Sequence, residues 1–101
     1  MKAIIVITEP FWRVGEVEVI RVLLQLCITY IHVRKPQAKE PEMRTFLSSF
    51  SADKREKMVL HDFFDLAQEY GCGGIHHNSR NQTIPLGWNG RLSRSCHNFL
   101  E

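Results

Sequence analysis

The sequence predicts an α/β fold built on one parallel sheet, and three observations carry that reading. Short β-branched runs alternate with amphipathic stretches, the connections between them are brief, and four of the strand-like runs end in polar or ionisable clusters. Repeated strand–helix order with such connections favours right-handed crossovers, as in a doubly wound sheet or a (βα) barrel. Periodicity alone does not choose between the two.

The first strand is Ala3-Ile4-Ile5-Val6-Ile7-Thr8, a continuous apolar run closed by Glu9-Pro10, as in a strand covered on both faces. From about Gly15 to Cys27, Val17, Ile20, Leu23, Leu24 and Cys27 recur at helical spacing, with Glu16, Glu18, Arg21 and Gln25 on the other face. Tyr30 to Arg34 is the second strand, ended by Lys35-Pro36, because a proline pushes the residue before it out of helical geometry. Pro41 suits a first helical turn, and Met43, Phe46, Leu47 and Phe50 form the stripe of a helix ending near Ser51.

Lys57 to His61 is the third strand, and Phe63 to Tyr70, with Gly71 as a left-handed cap, is the third helix. Gly74 to His77 is the fourth strand. Between Ser79 and Gly90 the pattern lapses into a loop marked by Asn81, Pro85, Gly87 and Asn89-Gly90, and a last strand runs from about Arg91 to Cys96. A compact barrel takes roughly 200 residues. The 101 residues here hold about five parallel strands and three helices, an incomplete (βα) barrel in a single domain.

Composition narrows the partners. With 44% hydrophobic and 24% charged residues the chain is ordinary for a soluble domain, and the 13 Lys and Arg are scattered rather than aligned, so no nucleic-acid footprint is expected. The longest apolar-rich stretch, Val17 to Ile31, is interrupted by Glu18, Arg21 and Gln25 and falls short of a membrane span. Cys27, Cys72 and Cys96 form no CxxC pair and no signal-peptide pattern opens the chain, which together predict a cytoplasmic protein.

The strand ends hold the chemistry: His32-Val33-Arg34-Lys35, His61-Asp62, His76-His77-Asn78 and Ser95-Cys96-His97-Asn98. The carboxyl edge of a parallel sheet is where ligands bind, so these residues are expected around one pocket. Any single histidine also has the blander reading of a satisfied, half-buried core residue. The cluster is stronger than its members.

Four chemistries compete for it. Arg34 and Lys35 suit a phosphate or diphosphate, and Asp62 suits Mg²⁺, which takes oxygen ligands and shares them with substrate phosphates. His32, His61, His76 and His77 suit Zn²⁺ by residue type, although their spacing matches no standard zinc motif. His97, beside Ser95 and Cys96, suits a general acid or base. Nothing in the sequence holds a base against Cys96, which weakens its case as a nucleophile.

The stretch Val59-Leu60-His61-Asp62-Phe63-Phe64-Asp65-Leu66-Ala67, through Gly71 to Gly74-Ile75-His76, resembles the Ile-Asn-Asp-x-x-x-Leu-Ala…Gly-x-Gly-Val-His pattern of thiamine-phosphate synthases and their thiazole tautomerase relatives. The strand-Arg-Lys and Ser-Cys-His segments extend the resemblance over nearly the whole chain. It implies the N-terminal half of a TIM barrel. It also implies a reaction in which a hydroxymethylpyrimidine diphosphate loses pyrophosphate with Mg²⁺ assistance and a thiazole phosphate nitrogen attacks the resulting cation.

Carried over by position, the resemblance makes Arg34 and Ser95 diphosphate ligands, Asp62 a Mg²⁺ ligand, and His32 the replacement for a glutamine against the pyrimidine. Lys35, His61 and His76 complete the expected substrate-binding set. Two departures matter. Lys35 stands one place from the lysine of the family's Gln-x-Arg-x-Lys pattern, and the second metal-binding aspartate falls at Asn81. Both resemble the tautomerase branch, which handles a thiazole carboxylate phosphate without Mg²⁺ and in which His97 would move the proton. A third expectation is a catalytically inert half barrel that self-associates through its uncovered edge and face.

Overall fold

The computed structural model describes residues 4–26, 30–78 and 83–94. Five strands, β1 (Ile5–Ile7), β2 (Tyr30–Val33), β3 (Met58–Leu60), β4 (Gly74–His77) and β5 (Arg91–Arg94), lie in sequence order in one sheet, and every pairing is parallel. This is the expected α/β half barrel. β4 has the expected bounds, β1, β2 and β3 are shorter than the runs read in the sequence, and the Ser95 and Cys96 that the sequence reading adds to β5 lie outside the described residues.

The described residues form four helices, α1 (Glu16–Gln25), α2 (Glu40–Ser48), the single turn α3 (Ala52–Arg55) and α4 (Phe64–Tyr70), of which α1, α2 and α4 supply buried residues to the core. In α1 the expected stripe is realised by Ile20 and Leu24, with Val17 and Leu23 packed beside them. At the start of α2 the Glu42 carboxylate accepts the backbone N–H of Lys39 at 2.8 Å, satisfying one of the donors that a helix N-terminus leaves over. Gly71 ends α4 at φ 72, and the Cys72 N–H then closes on the Ala67 carbonyl at 2.8 Å.

The short α3 is the difference from the three helices read in the sequence. It buries no residue, so it carries no apolar stripe to detect. Its use is in Arg55, whose Nε donates to the Tyr70 carbonyl at 2.7 Å and whose Nη1 donates to the carbonyls of Phe50 at 2.5 Å and Leu47 at 3.2 Å. One guanidinium thereby satisfies carbonyls at the C-terminal ends of both α2 and α4.

The core lies between sheet and helices. Ile31, Val33, Met58, Leu60 and Ile75 project from the strands into Ile20, Leu24, Met43, Phe46, Leu47, Phe64, Leu66 and Ala67. By the alternation of strand side chains, Tyr30, His32, Val59 and His76 occupy the opposite, helix-free face. There Ile5 is 56% and Ile7 58% exposed. Among the described residues no helix is long and apolar enough to cross a membrane.

Candidate functional site

The parallel register carries His32, His61 and His76 to the carboxyl ends of three neighbouring strands. His32 Nδ1 lies 2.9 Å from His61 Nε2, and the His61 ring stacks on His76 at 4.1 Å between centroids and 17° between planes. His32 meets His76 edge-on at 5.7 Å. The His76 Nδ1 lies 2.7 Å from Ser93 Oγ on β5, so the cluster spans four strands. Burial lowers the pKa of His32, and the neighbouring His76 lowers it further; burial and then His77 lower that of His76. Both rings are therefore biased to the neutral form.

Two polar side chains fix this edge: Asn78, a member of the strand-end clusters read in the sequence, and Thr8, which that reading leaves within the first strand. Asn78 donates through Nδ2 to the His61 carbonyl at 2.7 Å and the His76 carbonyl at 3.0 Å, tying the ends of β3 and β4 together. Thr8 Oγ1 accepts the Arg34 N–H at 3.0 Å and does the same for β1 and β2. The signal of Thr8 in the sequence is position alone, as the first polar residue after the apolar run of β1. Ser93 was hidden in the same way, as one small residue within the last strand.

The other predicted residues divide. Arg34 is half-buried at the end of β2, and its guanidinium has no ion-pair partner among the described residues. Lys35, expected beside it in the phosphate site, is corrected by the structure. It is 1% exposed, with Nζ donating to the Phe11 carbonyl at 2.7 Å and to both oxygens of Glu16, at 2.7 and 2.9 Å, and lying 4.8 Å from the centre of the Trp12 ring. Successive residues leave a strand on opposite sides, so Lys35 turns inward and its charge is neutralised within the fold.

Asp62 is buried and lines a cavity of about 330 Å³ with Pro36, Glu40, Asp65 and Thr83. The next residue, Phe63, takes φ 56, a left-handed conformation that costs about 1–2 kcal/mol for a residue with a Cβ. A second cavity, of about 510 Å³, opens on the helix-free face and is lined by His32, His76, Tyr30, Arg91 and Ser93 among others. Cys72 is buried and its thiol is pushed up to about 12, which removes it as a nucleophile near neutral pH. Ser95, Cys96, His97 and Asn81 lie outside the described residues.

Mg²⁺ takes oxygen ligands. Asp62 lines its cavity together with the acidic residues Glu40 and Asp65, and Asn81, the second metal position that the resemblance implies, lies outside the described residues. The nitrogen donors of His32, His61 and His76 form a group of their own.

No protein-family model and no curated protein matches the sequence. A solved structure does: thiamine phosphate pyrophosphorylase from Bacteroides thetaiotaomicron is 31% identical and superposes with a TM-score of 0.88. The match covers 96% of this chain and 49% of that one, so this chain spans about half the length of the solved protein.

Proposed function

We propose that this chain, which has a thiamine-phosphate-synthase-like fold, supplies the strand-end half of a site joining a hydroxymethylpyrimidine diphosphate to a thiazole phosphate. The observation that carries the reading is the contrast between Arg34 and Lys35. Arg34 is a partly buried guanidinium without an acidic partner among the described residues, at the sheet edge where α/β folds bind ligands, while the adjacent ammonium is already paired with Glu16. An unpaired, partly desolvated Arg is suited to an anionic ligand, and its planar fork matches two phosphate oxygens.

In this reaction the carbon–oxygen bond of the pyrimidine methylene breaks, pyrophosphate leaves with the electron pair, and the thiazole nitrogen forms the new carbon–nitrogen bond. Arg34, with Ser95, holds the departing diphosphate. His32, His61 and His76 present ring edges and faces to the heteroaromatic substrate. The roles of this chain's residues are binding and alignment, which account for much of the rate in reactions of charged, bimolecular substrates.

Calorimetry with inorganic pyrophosphate, with and without Mg²⁺, tests the reading alongside a product assay with both substrates. The parent chain is expected to bind, and Arg34→Gln to bind at least about tenfold more weakly, the equivalent of the roughly 1.5–3 kcal/mol of a charged hydrogen bond. Absence of heat at millimolar pyrophosphate under both conditions would sink it.

One observation favours a second reading. The imidazole-rich edge with a single matching carboxylate suits proton transfer on a thiazole carboxylate phosphate, with His97 as acid and base. A His97→Ala chain that isomerises the thiazole as fast as the parent would remove that possibility.

A further inference from the structure

The three histidines come from three different strands, yet one nitrogen from each lies within 4.8 Å of the other two. Three imidazoles on one tetrahedral Zn²⁺, with Zn–N of about 2.0–2.1 Å, place their nitrogens about 3.3 Å apart. Closing the difference moves each nitrogen by less than about 1 Å, and the His61 or His76 ring, now stacked with planes 17° apart, must also turn about its broad χ2 torsion so that both in-plane lone pairs meet at one ion. We propose that His32, His61 and His76 bind a divalent transition-metal ion of the Zn²⁺ class, leaving a fourth coordination position for water or an anionic oxygen.

Four features of the site support this. The ligands sit on adjacent hydrogen-bonded strands, which fix their backbones. The Ser93 hydroxyl lies 2.7 Å from His76 Nδ1, where it can accept that ring's N–H and orient it, as outer partners orient metal-binding imidazoles. The hydrogen bond between His32 Nδ1 and His61 Nε2 requires one ring to carry hydrogen at that position. A metal ion takes the place of that hydrogen, and the ring's proton moves to its other nitrogen, so both rings stay neutral. His32 and His76 also line the 510 Å³ cavity, which gives an ion a route in and an external ligand room to bind.

Three protein nitrogens with an open position form the donor set of catalytic rather than structural zinc sites. A water molecule held there would be acidified toward neutral pH, and a phosphate or carboxylate oxygen could replace it. Imidazole donors select Zn²⁺, Co²⁺, Ni²⁺ or Cu²⁺ over Mg²⁺. The inference uses the same three histidines as the synthase reading, but its test holds no organic substrate and no pyrophosphate, so its failure and the failure of that reading are distinguishable.

The test is titration of the chelator-treated chain with Zn²⁺ by calorimetry and with Co²⁺ by visible absorption. One equivalent per chain is expected, with the intense d–d bands of a tetrahedral Co²⁺ site. His32→Gln, His61→Gln and His76→Gln should each weaken binding by more than the roughly 10- to 100-fold that loss of an outer partner costs at such sites. Two controls should keep it: His77→Gln, and a chain with Cys27→Ser, Cys96→Ser and His97→Gln. Zn²⁺ should also raise the melting temperature of the parent but not of the three ligand variants, each checked for folding by circular dichroism. No binding at millimolar Zn²⁺, unchanged binding in folded His76→Gln, or loss of binding in the cysteine–His97 control would overturn the proposal and leave the cluster as mutually hydrogen-bonded core histidines.

Discussion

At the scale of single residues, the histidine cluster makes stability depend on pH. His32 and His76 have pKa values below the ordinary 6.5, so between those lowered values and 6.5 the unfolded chain binds more protons than the folded one. Stability is then fully present above about 6.5 and is lost as pH falls toward the folded values. Melting of metal-free protein followed from about pH 7.5 to 5 should show this decline, and a His32→Gln/His76→Gln chain should show a flatter one; identical slopes would contradict it. Lys35 is the residue the sequence misplaced. Adjacent basic residues at a strand tip look alike in sequence, and only the side of the sheet on which each emerges separates the half-buried Arg34 guanidinium from the buried, paired Lys35 ammonium. The histidines were legible as a strand-end group but not as a triad, because ligands on neighbouring parallel strands are spaced by whole βα units and not by the short intervals of a zinc motif.

At the scale of elements, two attachments hold the layers in register. The Lys35–Glu16 pair joins the end of β2 to the first turn of α1, with Lys35 1% and Glu16 13% exposed. Lys35→Ala strands a largely buried carboxylate and is expected to cost about 3–5 kcal/mol in denaturant unfolding, whereas Lys35→Met with Glu16→Gln should recover much of the loss. Gly73 performs the second attachment, just before β4. A Cβ there would meet the Glu56 carbonyl oxygen at 1.8 Å and the Arg91 side chain at 2.2 Å, and the first of these is backbone that cannot swing aside. Gly73→Ala is expected to destabilise by about 1–3 kcal/mol, a loss readable from the urea midpoint. Short β-rich runs made the strands readable, and apolar stripes at helical spacing made α1 and α2 readable. The turn α3 escaped because Ala52-Asp53-Lys54-Arg55 has no apolar face and works through one arginine's hydrogen bonds.

At the scale of the whole molecule, the sheet is covered on one face by helices and bears exposed Ile5 and Ile7 on the other. Apolar side chains on an uncovered sheet face, beside strands with one neighbour each, favour association between copies. Sedimentation velocity on the 101-residue chain is expected to show a concentration-dependent dimer that Ile5→Lys/Ile7→Lys returns to monomer; a strict monomer at high concentration would count against this. The order of strands has a separate consequence, for the way the chain is made. Each strand pairs with the one synthesised just before it, the register closing Ile5 on Tyr30, Ile31 on Met58, Val59 on Gly74 and Gly74 on Arg91. No strand waits for a distant partner, so loop closure stays short at every step and the sheet can grow one unit at a time as the polypeptide leaves the ribosome. The metal ligands would then be assembled in translation order, His32 first, His61 second and His76 last.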